Sequence, residues 1–218
     1  MTDKDTKHDI SAIRQDYTLK SLTEDEVDQN PVNQFEIWFN EALKSEVKEP
    51  NAMSLGTVTK ENKPAVRIVL LKGIENGKFR FFTNYQSQKG EDMANNPNVS
   101  LMFFWSELER QVRIEGIVSK VSEEESTAYF HSRPSGSQIG ALVSPQSQVI
   151  SGREELEERQ KELTSKYEGK TIPKPTHWGG YEVEASSFEF WQGRSSRLHD
   201  RIRYIKKGSE WQIERLAP

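Results

Sequence analysis

The chain has 218 residues, 30 of them Lys or Arg and 34 Asp or Glu, for a formal charge of -4 and a mean hydropathy of -0.81. That length fits one large domain or two small ones, no stretch reaches the roughly 18 apolar residues of a membrane span, and the near balance of charge gives no overall field for nucleic acid. With no Cys, disulfides, thiolate metal sites and cysteine nucleophiles are excluded, and a reducing compartment is suited.

Residues 1–30 are polar and charged, with Ile10, Ile13, Tyr17 and Leu22 scattered among them, and read as a loosely held arm or a short helix. The start, MTDKDTKHDI, has no apolar leader, so a cytoplasmic location is expected. Asn30 and Pro31 fit the N-cap and first position of a helix whose Phe35, Trp38, Phe39, Ala42 and Leu43 recur at helical spacing, a stripe suited to core packing. From Ala52 the period becomes that of strands. Segments 52–60, 65–72, 79–84, 99–105 and 110–121 are rich in Val, Ile, Phe and Thr, separated by turn-like ENKP (61–64) and ENGK (75–78).

SQKGEDMANNP (87–97) has helical character, and Ser122 with Glu125 forms a capping-box pattern opening a helix that carries Tyr129 and ends near Arg133. A short helix is expected near 136–143, a charged amphipathic helix over 151–168, and loop over 169–177. A strand over 179–192 and a hairpin of 201–206 and 210–215, turned at Lys207-Gly208-Ser209, close the chain. Leu, Ile and Val number only 13 each, but 10 Phe and five Trp can bury large areas per residue and support a folded core, part of which a partner would complete. The hairpin signals predict one α+β domain with an antiparallel β-barrel at its centre.

Four constellations could carry chemistry. Arg67-Ile68-Val69-Leu70-Leu71-Lys72 is a strand with a cation at each end. Alternation puts these cations on opposite faces, so one ligand meets both only across the strand end or along its edge; an edge strand with solvated ends fits equally. Phe82-Thr83-Asn84 followed by Ser87-Gln88-Lys89-Gly90 places a hydroxyl and an ammonium at a helix start, which is either an anion site or a plain capped terminus. Tyr129 and Arg133 share one helix face, with Ser137 at the next turn signal. That donor set suits a phosphomonoester, or else a helix C-terminus with an arginine at the negative end of its dipole. Trp191 to Arg203 holds four of the chain's 13 Arg, with His199 and Asp200 among them. Such a density is costly by self-repulsion unless anions offset it, and an acidic chain favours small anionic ligands over nucleic acid. The four His (8, 131, 177 and 199) have no metal-ligand spacing, and neither a Walker loop nor a GxGxxG turn occurs.

Together these segments resemble the pyridoxine/pyridoxamine 5'-phosphate oxidase family, from Arg14–Tyr17 to the terminal ERLAP. RIVLLK (67–72), RQVRIEG (110–116), YFHSRPSGSQIGA (129–141), SPQSQ (144–148) and FWQGRSSRLHDR (190–201) carry the similarity. It implies an antiparallel split β-barrel with peripheral helices over 31–218, an N-terminal lid over 1–30, and a homodimer with FMN at its interface. The implied reaction oxidises pyridoxamine 5'-phosphate and pyridoxine 5'-phosphate to pyridoxal 5'-phosphate with O2, releasing hydrogen peroxide, and ammonia from the amine. No side chain supplies the two-electron acceptor this requires, which is the reason for the flavin.

By resemblance, Arg67, Ile68, Val69, Leu70, Leu71, Lys72, Phe82, Thr83, Ser87, Gln88 and Lys89 hold FMN. Gln111, Gln146, Ser147, Trp191 and Arg201 complete its site, the two groups coming largely from different protomers. Lys72, Tyr129, Arg133 and Ser137 would bind the substrate phosphate. Arg197, Leu198 and His199 would hold the pyridine ring, with Arg197 and His199 as the catalytic pair, and Arg14 and Tyr17 would close over it. A basic residue is common in the family where this chain has Gln88, which implies a neutral phosphate contact and FMN binding weaker by roughly 1–2 kcal/mol. No metal, membrane or nucleic acid is implied. A split-barrel flavin reductase of another specificity and a non-enzymatic pyridoxal phosphate carrier are the competing readings. The Tyr129, Arg133 and Ser137 set, with Arg197 and His199, exceeds what a bare FMN binder needs.

Overall fold

The computed structural model describes residues 9–13 and 15–218. Helix α1 (Pro31–Lys44) begins as its sequence predicts, with the Asn30 side chain accepting the Val32 N–H and Pro31 in the first turn. Phe35, Trp38 and Ala42 are buried. Leu43, expected in the same stripe, lies on its flank and remains exposed, lining a surface cleft with Phe39 and Leu71.

The described residues form a nine-stranded antiparallel sheet. Its strands are β1 (Ala52–Val58), β2 (Pro64–Leu70), β3 (Gly73–Glu75), β4 (Lys78–Asn84), β5 (Asn98–Trp105), β6 (Arg110–Lys120), β7 (Trp178–Gln192), β8 (Asp200–Lys207) and β9 (Glu210–Arg215). The order is β2-β1-β5-β6-β7-β4-β3, with β8 pairing β7 and β9. Alternate residues such as Leu55, Phe81, Phe103, Ile114 and Phe190 point inward and are fully buried, so the curled sheet encloses an aromatic-rich core. The expected single strand over 65–72 ends at Leu70; the Leu71 N–H still donates to the Asn51 carbonyl beside β1, the Lys72 N–H donates to the Arg80 carbonyl on β4, and β3 continues the pairing with β4. The cations at 67 and 72 therefore do not lie on one strand.

Strand β7 is the hinge of the curl. Its first half, Trp178 to Val183, pairs with β4, and its last six residues, Ser187 to Gln192, pair with β8. Between them a bulge interrupts the β6 ladder at Glu115/Gly116, leaving Ser186 unpaired in register with its hydroxyl donating to the Glu115 carbonyl at 3.1 Å. A bulge increases local twist, which lets one strand serve two partners. Gly116 is required there because a Cβ would stand 2.2 Å from the Glu184 carbonyl oxygen.

Helices α2 (Gln88–Asn95), α3 (Glu123–Ser132), α4 (Ser135–Val143) and α5 (Arg153–Lys166) lie outside the sheet. The predicted capping box opens α3: Ser122 Oγ accepts the Glu125 N–H at 3.1 Å, and the Ser122 N–H donates to the Glu125 carboxylate at 3.2 Å. A second core of Phe130, Ile139, Val143, Ile172 and Trp178 fastens α3 to α5 onto the start of β7. The arm is less loose than its composition suggests. Leu22 and Val27 enter the main core, the Leu19 and Leu22 N–H groups donate to Glu109 (3.0 Å) and Asp200 (3.1 Å), and the Tyr204 hydroxyl donates to the Asp28 carbonyl at 2.7 Å. These ties use main-chain groups, which leave no mark in a residue pattern.

Candidate active site

The loop from β4 into α2 builds the first part of the site. Ser87 caps α2 by accepting the Gly90 N–H, and the next residue, Gln88, turns away to donate to Asp92 at 2.8 Å. Arg67 also faces that carboxylate, 3.5 Å away, and donates to Thr57 Oγ1 at 2.6 Å. Lys89 is buried, and among the described residues its ammonium meets only neutral oxygens, Ser87 Oγ at 3.3 Å and Gln146 Oε1 at 3.4 Å. Burial first, then the Arg67 charge, hold Lys89 below the ordinary lysine range, partly offset by Asp92. Gln146 also accepts from Thr83 Oγ1 at 3.3 Å.

Thr83, Lys89 and Gln146 open into a cavity of about 620 Å³. Ile68, Val69, Leu70, Lys72, Phe82, Thr83, Lys89 and Gln146 line it from the expected cofactor set; Tyr129, Arg133 and Ser137 line it from the expected phosphate set. The last turn of α3 and the first of α4 bring the latter three together. Arg133 Nη1 is buried without a hydrogen-bond partner among the described residues. Burial pulls the Arg133 pKa down and pushes the Tyr129 hydroxyl up, each opposed by the other group.

A second cavity of about 540 Å³ lies between the arm and the loop after β7, lined by Tyr17, Asp16, Arg194, Ser196, Arg197 and His199. Ser196 and Arg197 both adopt positive φ, 56° and 61°, a strained conformation for residues with side chains. Asp16 Oδ1 accepts the Ser196 N–H at 3.3 Å, steadying that turn. His199 Nδ1 accepts the Arg194 N–H at 3.1 Å, so in the neutral ring Nε2 carries the proton and serves as donor. The ring lies 4.6 Å from Trp191 and 5.9 Å from Tyr17. Gly193 permits the approach of Tyr17, which a Cβ would meet at 2.7 Å.

The two cavities share no lining residue. The remaining expected residues do not line the first cavity. Gln111 faces Trp191 across β6 and β7; Arg201 is engaged by Glu189 at 2.9 and 3.1 Å and by the Ala217 carbonyl at 2.9 Å. Ser147, with φ 71°, and Leu198 are exposed, Leu71 and Ser87 are buried, and Arg14 lies outside the described residues. Sequence reasoning missed Trp178 and Asp16, neither of which stands at a telling spacing, whereas Arg194 belongs to the arginine cluster that the sequence did single out. Among the described residues, no cluster of three His, Asp or Glu could hold a metal ion, and no helix is long and apolar enough to cross a membrane.

Residues 39–167 match the family model described as pyridoxamine 5'-phosphate oxidase, and residues 178–218 match the pyridoxine 5'-phosphate oxidase C-terminal dimerisation region. Curated relatives named pyridoxine/pyridoxamine 5'-phosphate oxidase include one from Leptospira interrogans, 57% identical over 210 residues, and one from Cyanothece sp., 54% identical over 209; each alignment covers 96% of this chain and 98% of the relative. Among solved structures, PhzG from Burkholderia lata in complex with tetrahydrophenazine-1-carboxylic acid superposes with a TM-score of 0.86 at 28% identity, covering 92% of this chain and all of that one. An FMN-binding protein from Nostoc punctiforme, at 15% identity and a TM-score of 0.69 over 88% of this chain and all of that one, shares the fold.

Proposed function

The chain belongs to the pyridoxine/pyridoxamine 5'-phosphate oxidase family, and from that premise we infer that it oxidises pyridoxine 5'-phosphate and pyridoxamine 5'-phosphate to pyridoxal 5'-phosphate. The observation that carries this reading is a pair of unmet cations in one cavity. Among the described residues Lys89 meets only neutral acceptors, and Arg133 keeps a buried nitrogen without a partner. Leaving buried charge unmet is costly, and two phosphates, one from FMN and one from the substrate, would answer both.

We assign the FMN phosphate to Lys89, Ser87, Thr83 and Gln146 at the start of α2, and the substrate phosphate to Arg133, Tyr129, Ser137 and Lys72. When bound, the flavin supplies the two-electron acceptor, with O2 as the terminal oxidant. Anchoring the substrate by its remote phosphate leaves its ring to be oriented by other groups, which is where positioning contributes most to rate. Arg197 and the His199 Nε2–H are our candidates, acting from the second protomer, since their cavity is separate from the first within one chain. The outward sheet face supports that arrangement: Val66 and Ile68 on β2, Phe104 on β5 and Ile117 on β6 are exposed apolar side chains, and the C-terminal segment matches a dimerisation region. Gln111, Ser147, Trp191, Leu198 and Arg201 would then approach the flavin from that copy. We read 1–30 as an arm whose Tyr17 closes the site, 31–218 as one domain, and the cytoplasm as its location.

The purified protein should be a yellow dimer whose flavin is bleached by pyridoxamine 5'-phosphate under anaerobic conditions, with air restoring the colour and generating peroxide. Bleaching by a nicotinamide donor but by neither phosphorylated vitamer would overturn the assignment. Lys89→Ala should weaken FMN by about 10- to 100-fold, the range for a charge-assisted contact of ~1.5–3 kcal/mol. In wild type, FMN affinity should fall as pH rises. The free lysine loses its proton below the ordinary lysine range, whereas a bound phosphate retains it, so binding takes up a proton in that window. Flavin fluorescence titrations across alkaline pH measure both effects, and a pH-independent affinity would remove Lys89 from the phosphate site.

A further inference from the structure

We propose that Trp178 is a positioning residue for the substrate-phosphate site, holding the Arg133 guanidinium on its indole face so that the cation remains unneutralised and aimed into the cavity. This rests on the reading of that cavity given above.

An arginine waiting for an anion must be held in place without being neutralised. A carboxylate would hold it and also compete with the phosphate. Among the described residues no carboxylate pairs with Arg133. Its Cζ instead lies 4.5 Å from the Trp178 ring centroid, inside the roughly 6 Å over which an aromatic face attracts a cation. A ring face attracts the cation without accepting its N–H groups, which stay available for a ligand, in keeping with the buried Nη1 that has no partner among the described residues.

The indole is itself fixed. Trp178 is 6% exposed, opens β7 opposite Asn84, donates its main-chain N–H to the Pro175 carbonyl at 3.1 Å and accepts Lys174 Nζ at 2.9 Å. Its ring is parallel to Tyr129 within 3° at 6.2 Å and to Phe82 within 16° at 5.7 Å, while Phe82 stacks on Tyr129 at 3.8 Å. Trp178 is thus the nearer of two aromatic rings beside the guanidinium, Phe130 lying 5.7 Å from the Cζ, and its ring is parallel to the phenol that shares the same anion.

The test uses flavin-loaded protein, in which inorganic phosphate can report only on the substrate side. Trp178→Leu should raise the KM for pyridoxamine 5'-phosphate about tenfold, leave kcat within about twofold, and raise the inhibition constant of inorganic phosphate by the same factor as KM. Trp178→Phe, which keeps a weaker aromatic face, should lose only about two- to threefold on both. Equal losses in the two variants would show that bulk rather than the ring face matters and would overturn the proposal. A fall in kcat with KM unchanged would do the same. Should Trp178→Leu fail to fold, the Phe variant decides alone, because unchanged phosphate inhibition there contradicts the stacking role. Phosphate binding measured calorimetrically needs no turnover. Weaker phosphate in the variants of a protein that does not oxidise the vitamer would therefore sink the functional reading and leave this one standing.

Discussion

Arg197→Met should keep its flavin and lose about 100- to 1,000-fold in turnover, the usual cost of deleting one preorganised donor beside the reacting atoms. The guanidinium makes no ion pair among the described residues, so the fold does not depend on it for charge balance. The chain nevertheless accepts two consecutive positive φ values, 56° at Ser196 and 61° at Arg197, at a cost on the order of 1–3 kcal/mol each. That cost is retained because the neighbours over-determine the turn: Asp16 holds the Ser196 N–H, and the Arg194 N–H is tied to His199. Methionine preserves the apolar length of the side chain and removes the planar donor. The proposed phosphate anchors line the other cavity, so KM should move much less than kcat. Flavin absorbance per protomer and steady-state rates check both parts. A colourless variant, or turnover within about threefold of wild type, would take Arg197 out of the catalytic role. Arg197→Lys should recover little, since an ammonium does not reproduce the fork of donors.

The parts of the fold that were legible in the sequence are those written in local chemistry. The Asn30-Pro31 helix start, the Ser122 and Glu125 capping box and the Gly208 turn are signals of a few residues, and each formed where expected. The α+β split barrel with peripheral helices followed from hairpin signals and from resemblance. What was not legible depends on partners distant in sequence. Nothing around Ser186 announces that β7 changes partners there, because the bulge is enforced by a carbonyl facing Gly116 from another strand. The arm is held by main-chain donors, and Lys72 parts from Arg67 because the chain exchanges β1 for β4 as its partner between Leu71 and Lys72. Much of the expected site also came together, with Lys89, Gln146, Tyr129, Arg133 and Ser137 around one cavity. Trp178 escaped notice because its function lies in a ring face presented to Arg133, a relation between strand and helix that spacing does not encode.

Gly90→Ala should be the most damaging small substitution near the proposed FMN site, lowering the melting temperature by roughly 10 °C and leaving the protein largely without FMN. In an ordinary helix the change from Gly to Ala would stabilise by about 1 kcal/mol. Here the added Cβ would stand 2.2 Å from the Tyr85 carbonyl oxygen, 2.5 Å from its carbon and 2.8 Å from its Cα. These are main-chain atoms, which have no rotamer to escape into. Tyr85 is fixed as well: its N–H donates to the His177 carbonyl at 2.6 Å, its hydroxyl to the Gly180 carbonyl at 3.3 Å, and Lys120 sits over its ring at 4.1 Å. Relief therefore requires α2 to back away by about 1 Å, and overpacking against rigid backbone belongs at or above the upper end of the usual ~1–3 kcal/mol. At about 2–4 °C per kcal/mol for a chain of this size, that gives the expected drop. The same displacement carries Ser87 and Lys89 out of register with Gln146, so FMN affinity should fall by more than the ~10- to 100-fold expected from losing the Lys89 charge alone. Gly73→Ala, where a Cβ meets nothing within 4 Å, is the matched control and should stay within about 0.5 kcal/mol of wild type. If Gly90→Ala melted with that control and bound FMN normally, the close approach of α2 to the β4 loop would not be what holds the phosphate cradle in place.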